Sequence, residues 1–125
     1  MWNAQEARIE ANGERNNVAP KNALLHGTLE ALILKTVSHG PRHGYAIARW
    51  LEERTDEALL IEEGSLYPAL YRLEQKGFLS SKWGKSELDR RAKFYALTKR
   101  GEARLQEEVA AWTAFSAAVT HVLVP

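Results

Sequence analysis

The sequence predicts a mainly α-helical protein with one small β-hairpin. Apolar residues recur at helical spacing in four separate stretches of the 125 residues. Two short aromatic-rich stretches, 78–83 and 92–97, flank a polar turn containing Gly84, Ser86 and Asp89, the pattern of a hairpin. A content of 45% apolar and 26% charged residues suits one compact domain with a single modest core.

Taken in chain order, residues 1–22 carry Asn3, Asn12, Asn16, Asn17, Gly13 and Pro20 among scattered charges and show little periodicity. They read as a flexible arm, in part helical, which Trp2 and Ile9 could anchor. From Leu24 the pattern changes. Leu25, Leu29, Leu32, Ile33 and Val37 fall on one helical face, and Gly40-Pro41 ends the helix. A second helix is expected from about His43 to Arg54, burying Ile47, Ala48 and Leu51. An acidic connection through Asp56 and Glu57 then leads to Leu59-Leu60-Ile61, a triplet expected as a short edge strand.

The third helix is expected to open at Gly64-Ser65, with Ser65 capping free amides and Pro68 in the first turn, where a missing N–H costs least. Leu66, Leu70 and Leu73 form its core stripe, and Gly77 suits the left-handed position that closes it. Tyr67, Tyr71 and Arg72 then point away from the core. After the hairpin, Thr98 reads as the N-cap of a last helix running to about Leu123. Leu105, Val109, Trp112, Ser116, Val119 and Leu123 step along it by fours and threes, the spacing of a helix lying against another helix. Phe115 and Val122 widen that stripe.

The net charge of +1 conceals a segregation. Residues 72–104 hold ten basic side chains against four acidic ones, and the rest of the chain is net acidic. A basic half on an acidic body suits a polyanion, because neutralising phosphates releases condensed counterions. Three short helices followed by a basic hairpin is the order of a winged helix-turn-helix, whose recognition helix enters the major groove. Ser65 and Tyr67 offer hydroxyls near that helix's N-terminus, and Tyr71 and Arg72 lie on the same outward side. The division expected is an arm over 1–22, a winged-helix DNA-binding domain over 23–97 and a C-terminal dimerisation helix over 98–125.

Four runs, in this order, carry a family resemblance: Leu24-Leu25-His26-Gly27-Thr28-Leu29, His43-Gly44-Tyr45, Gly64-Ser65-Leu66-Tyr67-Pro68-Ala69-Leu70 and Arg91-Ala92-Lys93-Phe94-Tyr95-Ala96-Leu97-Thr98. The chain resembles the PadR family of bacterial transcriptional regulators, in its short subtype with a single C-terminal helix. The resemblance implies a repressor that dimerises through that helix, binds imperfect palindromes and is often released by small molecules. It puts Tyr45, Ser65, Tyr67, Arg90, Arg91 and Lys93 at or near DNA. It also implies that Trp112 and Phe115 can sandwich a planar effector, although aromatics at this spacing are more often buried anchors.

Other chemistries find no residue set. Without cysteine there is no disulfide, thiolate zinc site or cysteine nucleophile. His39 and His43 stand four apart, but Gly40-Pro41 breaks the helix that would align them on a metal, and His43 reads instead as a cap or orienting group. Glu52, Glu53, Asp56, Glu57, Glu62 and Glu63 look like a solvated face and not a catalytic pair. No cofactor is expected. No apolar run approaches a membrane span and the N-terminus lacks a secretory pattern, so a soluble, cytoplasmic, non-enzymatic DNA-binding protein is expected. The competing class is a winged helix that serves only as a protein-interaction module.

Overall fold

The structure, a computed structural model, describes residues 18–124. In order come α1 (Val18–Val37), β1 (Arg42–His43), α2 (Gly44–Arg54), α3 (Glu63–Gln75), β2 (Leu79–Lys85), β3 (Arg91–Leu97) and α4 (Lys99–Leu123). The strands form one antiparallel sheet in the order β1-β3-β2, with Leu79 opposite Leu97, Lys85 opposite Arg91, and His43 opposite Phe94. Of the arm expected over residues 1–22, the first seventeen lie outside the described residues. The last five already belong to α1, which begins six residues before Leu24.

The core is where the three helical stripes meet the sheet. Leu29, Ile33 and Val37 of α1, Ile47 and Leu51 of α2, and Leu66, Leu70 and Leu73 of α3 are buried, with Leu79 and Tyr95 closing the sheet side. Burying a leucine-sized side chain stabilises by about 1.5–3 kcal/mol, so these three stripes fix how the helices face one another. Thr36 is fully buried among them, and its hydroxyl donates to the Leu32 carbonyl at 2.9 Å. Gly40, at a φ of +132°, ends the turn after α1.

Leu59-Leu60-Ile61 is not a strand; the third strand is Arg42–His43 instead. The reason is that side chains at the C-terminal end of α2 and its C-cap take two of the triplet's backbone donors. Thr55 Oγ1 accepts from the Leu59 N–H at 3.2 Å and Glu52 Oε2 from the Ile61 N–H at 3.0 Å. Asp56 and Glu57 both turn left-handed just before, curling the chain back over the end of α2. The open edge of β3 is taken by β1.

Helix α3 also starts earlier than its serine suggests. Its N-cap is Glu62, with no side-chain cap bond, and the Glu62 carbonyl accepts from both the Ser65 and Leu66 N–H groups at 3.0 and 2.9 Å. Ser65 is therefore an exposed residue of the first turn and Pro68 sits in the second turn. Its missing N–H leaves the carbonyl of Gly64 to solvent, a loss tolerated because Gly64 is exposed and four residues of the helix are buried. At the other end Gly77 is left-handed at φ +81°, with its N–H on the Glu74 carbonyl and that of Phe78 on the Leu73 carbonyl.

Thr98 caps α4 as its sequence indicates: Oγ1 accepts from the Gly101 N–H at 3.0 Å and donates to the Gly77 carbonyl at 2.6 Å. Gly101 is buried so closely that an added Cβ would overlap the Phe78 carbonyl oxygen. The helix is thus seated on the α3–β2 junction. Leu105 still packs against the core, whereas Val109, Trp112, Phe115, Val122 and Leu123 are exposed by half or more.

Candidate nucleic-acid interface

Because Leu66, Ala69, Leu70 and Leu73 assign one side of α3 to the core, Gly64, Tyr71 and Gln75 lie on the opposite side and face solvent. Tyr71 is 65% exposed. Tyr67, one turn earlier and turned towards the hairpin, is only about half exposed, because its ring covers the start of α2 at Gly44. A Cβ at Gly44 would stand 2.7 Å from Tyr67 Cε1, so the glycine is what lets the ring lie there. Arg72 is exposed, but it does not point freely outward: its Nε donates to Glu30 Oε2 of α1 at 2.9 Å, and Lys76 reaches the same carboxylate at 3.6 Å.

Between α3, the start of α2 and the β2–β3 hairpin lies an open groove of about 670 Å³. Tyr45, Tyr67, Trp83 and Tyr95 supply aromatic surface to it, and Arg90, Arg91 and Lys93 supply charge. The strand register explains the set. Trp83 and Lys93 are directly opposed, and two-residue periodicity puts Arg91 and Tyr95 on the same face. The Arg91 guanidinium lies 4.6 Å from the centre of the Trp83 ring. Lys93 pairs with Glu74 of α3 at 3.4 Å, which ties the hairpin to the helix. Among the described residues Arg90 and Arg91 have no carboxylate partner. Burial pushes the Tyr95 phenol above its ordinary pKa against the opposing influence of Lys93, so it stays neutral and acts as packing.

The hairpin turn is bonded internally, Ser86 N–H to the Arg90 carbonyl at 2.8 Å and Asp89 N–H to the Ser86 carbonyl at 2.9 Å, with Asp89 left-handed. His43 caps α2 by accepting from the Ala46 N–H at Nδ1, 3.2 Å away, and its Nε2 meets Glu87 of the turn at 3.1 Å. Among the described residues no group of three potential ligands could hold a metal, and no helix is long and apolar enough to cross a membrane.

Of the residues singled out from sequence, Tyr45, Tyr67, Arg90, Arg91 and Lys93 converge on this groove. Ser65 and Tyr71 are exposed on α3 outside it, and Arg72 is held towards α1. Trp83 was missed, although an aromatic at the strand position opposite Lys93 carried the signal. On α4, Val109, Trp112 and Leu123 are exposed by half or more, and Leu105, Ser116 and Val119 are partly buried. Phe115 is 64% exposed beside Trp112 at 53%. An outward-facing helix, cationic strands and aromatic side chains are the donors, charges and apolar surfaces that the grooves and phosphates of a nucleic-acid duplex accept.

Comparison with known proteins points the same way. Residues 33–107 match the family described as the transcriptional regulator PadR-like family. An uncharacterized protein from Lysinibacillus sphaericus is 30% identical over 92 residues, 74% of this chain and 84% of that one. The solved structure of a PadR family transcriptional regulator from Eggerthella lenta superposes with a TM-score of 0.71 at 31% identity, covering 91% of this chain and 98% of that one. That of a PadR-like transcriptional regulator from Bacillus cereus gives 0.70 at 28%, covering 82% and 98%.

Proposed function

Since the chain belongs to the PadR-like family of transcriptional regulators, a family of DNA-binding regulators and not of enzymes, we propose that it is a homodimeric repressor that binds a palindromic operator. In this reading α3 enters the major groove with Ser65, Tyr67 and Tyr71 towards the bases, and the β2–β3 hairpin is the wing, its Arg90, Arg91 and Lys93 on phosphate. Tyr45 lines the same approach. The observation that carries the reading is the aromatic and basic groove between α3 and the hairpin, where two arginines have no carboxylate partner among the described residues. Arg72 takes part only by leaving or sharing Glu30, and so contributes less than the sequence suggests.

The same reading makes α4 the dimer contact. Its residues from Val109 to Leu123 expose apolar surface of a kind that folded chains cover with a partner, and a second copy pairing about a two-fold axis covers it symmetrically. Trp112 and Phe115 would then stand at that contact, with aromatic faces suited to a planar effector whose binding re-sets the spacing of the two α3 helices.

Selection of bound duplexes from a random pool by the purified protein tests this. Enrichment of an inverted repeat is expected, with two chains per duplex. Recovery of unenriched sequence would favour a winged helix that serves only as a protein-interaction module, and a single half-site bound by one chain would overturn the dimer.

A further inference from the structure

We propose that His43 is a positioning residue of the wing, acting through Glu87 to hold the turn that carries Arg90 and Arg91 towards DNA; this rests on the reading of the hairpin as a DNA-contacting wing. His43 closes β1 and caps α2, so its backbone belongs to two elements at once. Its side chain is 8% exposed, packed edge-on to Phe94 at 5.2 Å. Nδ1 accepts the Ala46 N–H, which requires the ring proton to reside on Nε2, and Nε2 then donates to Glu87 Oε1 at 3.1 Å. The Ala46 N–H and the Phe94 ring fix the imidazole before Glu87 is considered.

Glu87 is the opposite kind of group. Its side chain is 78% exposed, in a turn whose remaining polar bonds run within the hairpin itself. Among the described residues the His43–Glu87 bond, spanning 44 positions of sequence, is the only polar tie from that turn to the helical body. A carboxylate beside phosphates opposes binding on charge alone. Its bond to a buried, pre-oriented imidazole gives it a different role: it draws the turn towards the start of α2 and so sets where Arg90 and Arg91 stand relative to α3.

The two effects have opposite signs, which makes the test sharp. On charge alone, both Glu87→Ala and Glu87→Gln bind DNA more tightly than the unsubstituted protein. With the clasp, Glu87→Gln keeps an acceptor for Nε2–H and binds at least as tightly, whereas Glu87→Ala binds about threefold to tenfold more weakly, the loss of about one hydrogen bond's worth of positioning. Titration of all three proteins on a mixed-sequence duplex reads this, alongside amide hydrogen exchange over residues 86–90. That exchange should accelerate in Glu87→Ala alone, at unchanged thermal midpoint. Equal affinity of the two variants, or unchanged exchange in Glu87→Ala, would overturn the clasp. Failure of the unsubstituted protein to bind the duplex would remove the DNA reading beneath it, and the exchange result would still decide whether the bond orders the turn.

Discussion

Adding one methyl group at Gly44 displaces Tyr67, a proposed DNA-binding side chain, without replacing it. The new Cβ would lie 2.7 Å from Cε1, 2.9 Å from the hydroxyl and 3.0 Å from Cζ of Tyr67, too close for all three. The ring is 45% exposed, so it can swing outward. A tyrosine buries about 150–250 Å² when fully packed, so releasing its buried half forfeits at most about 3 kcal/mol at 25 cal/mol per Å². Alanine regains up to about 1 kcal/mol over glycine in a helix, which leaves a net loss of roughly 2 kcal/mol. That corresponds to a fall in Tm of about 10 °C for a domain of this size. Gly101→Ala is the control: its Cβ would overlap a backbone carbonyl held by the Thr98 N–H at 3.1 Å, which cannot swing away. Overpacking of that kind costs about 3 kcal/mol. Thermal melts and fluorescence-anisotropy titrations on a selected duplex, both below the lower midpoint, separate the cases. Gly44→Ala should remain folded and lose affinity; Gly101→Ala should lose stability first. A Gly44→Ala variant with unchanged melting and unchanged affinity would refute the placement of Tyr67 over Gly44 as a determinant of binding.

Three further outcomes follow from the same geometry. Tyr71→Ala should leave the midpoint within a few degrees, as exposed substitutions change stability by less than about 0.5 kcal/mol, and weaken operator binding; Leu70→Ala, at a fully buried position, should cost about 2–5 kcal/mol, and melts paired with titrations distinguish the two. The double variant Arg91→Ala/Lys93→Ala should flatten the slope of log K against log salt by about 2 while sparing sequence preference, and an unchanged slope would remove the wing from phosphate. Trp112→Ala should shift a monomer–dimer equilibrium towards monomer in sedimentation, with little change in the fold of a single chain because the side chain is 53% exposed there; dimer of undiminished strength would place the contact elsewhere.

The helical stripes were legible because a buried face leaves a period in the sequence: Leu66, Leu70 and Leu73 announce both the core side of α3 and, by difference, its outward side. Thr98 and Gly77 were legible because capping and left-handed turns select residue types locally. What could not be read depends on partners distant in sequence. Arg42–His43 has no strand-like pattern, and becomes a strand only because β3 offers an open edge. Leu59-Leu60-Ile61 has the composition of a strand, but Thr55 and Glu52 take its donors. Ser65 and Pro68 satisfied the local rules for a helix start, yet packing of the α3 core stripe is compatible with an earlier start at Glu63, where no side-chain cap is made. Arg72 looked outward by helical position, and a glutamate on α1, 42 residues away, turns it aside.

The central claim is that α3 and the wing face a duplex together, one set from each chain of a dimer. Guanine methylation interference on a selected operator measures this directly, since the modified N7 lies in the major groove. Two symmetric clusters of interference about 10 base pairs apart, both lost with Tyr67→Ala under conditions where the protein is folded, are expected. Full binding to operators methylated throughout would contradict it, because no helix could then be reading the major groove.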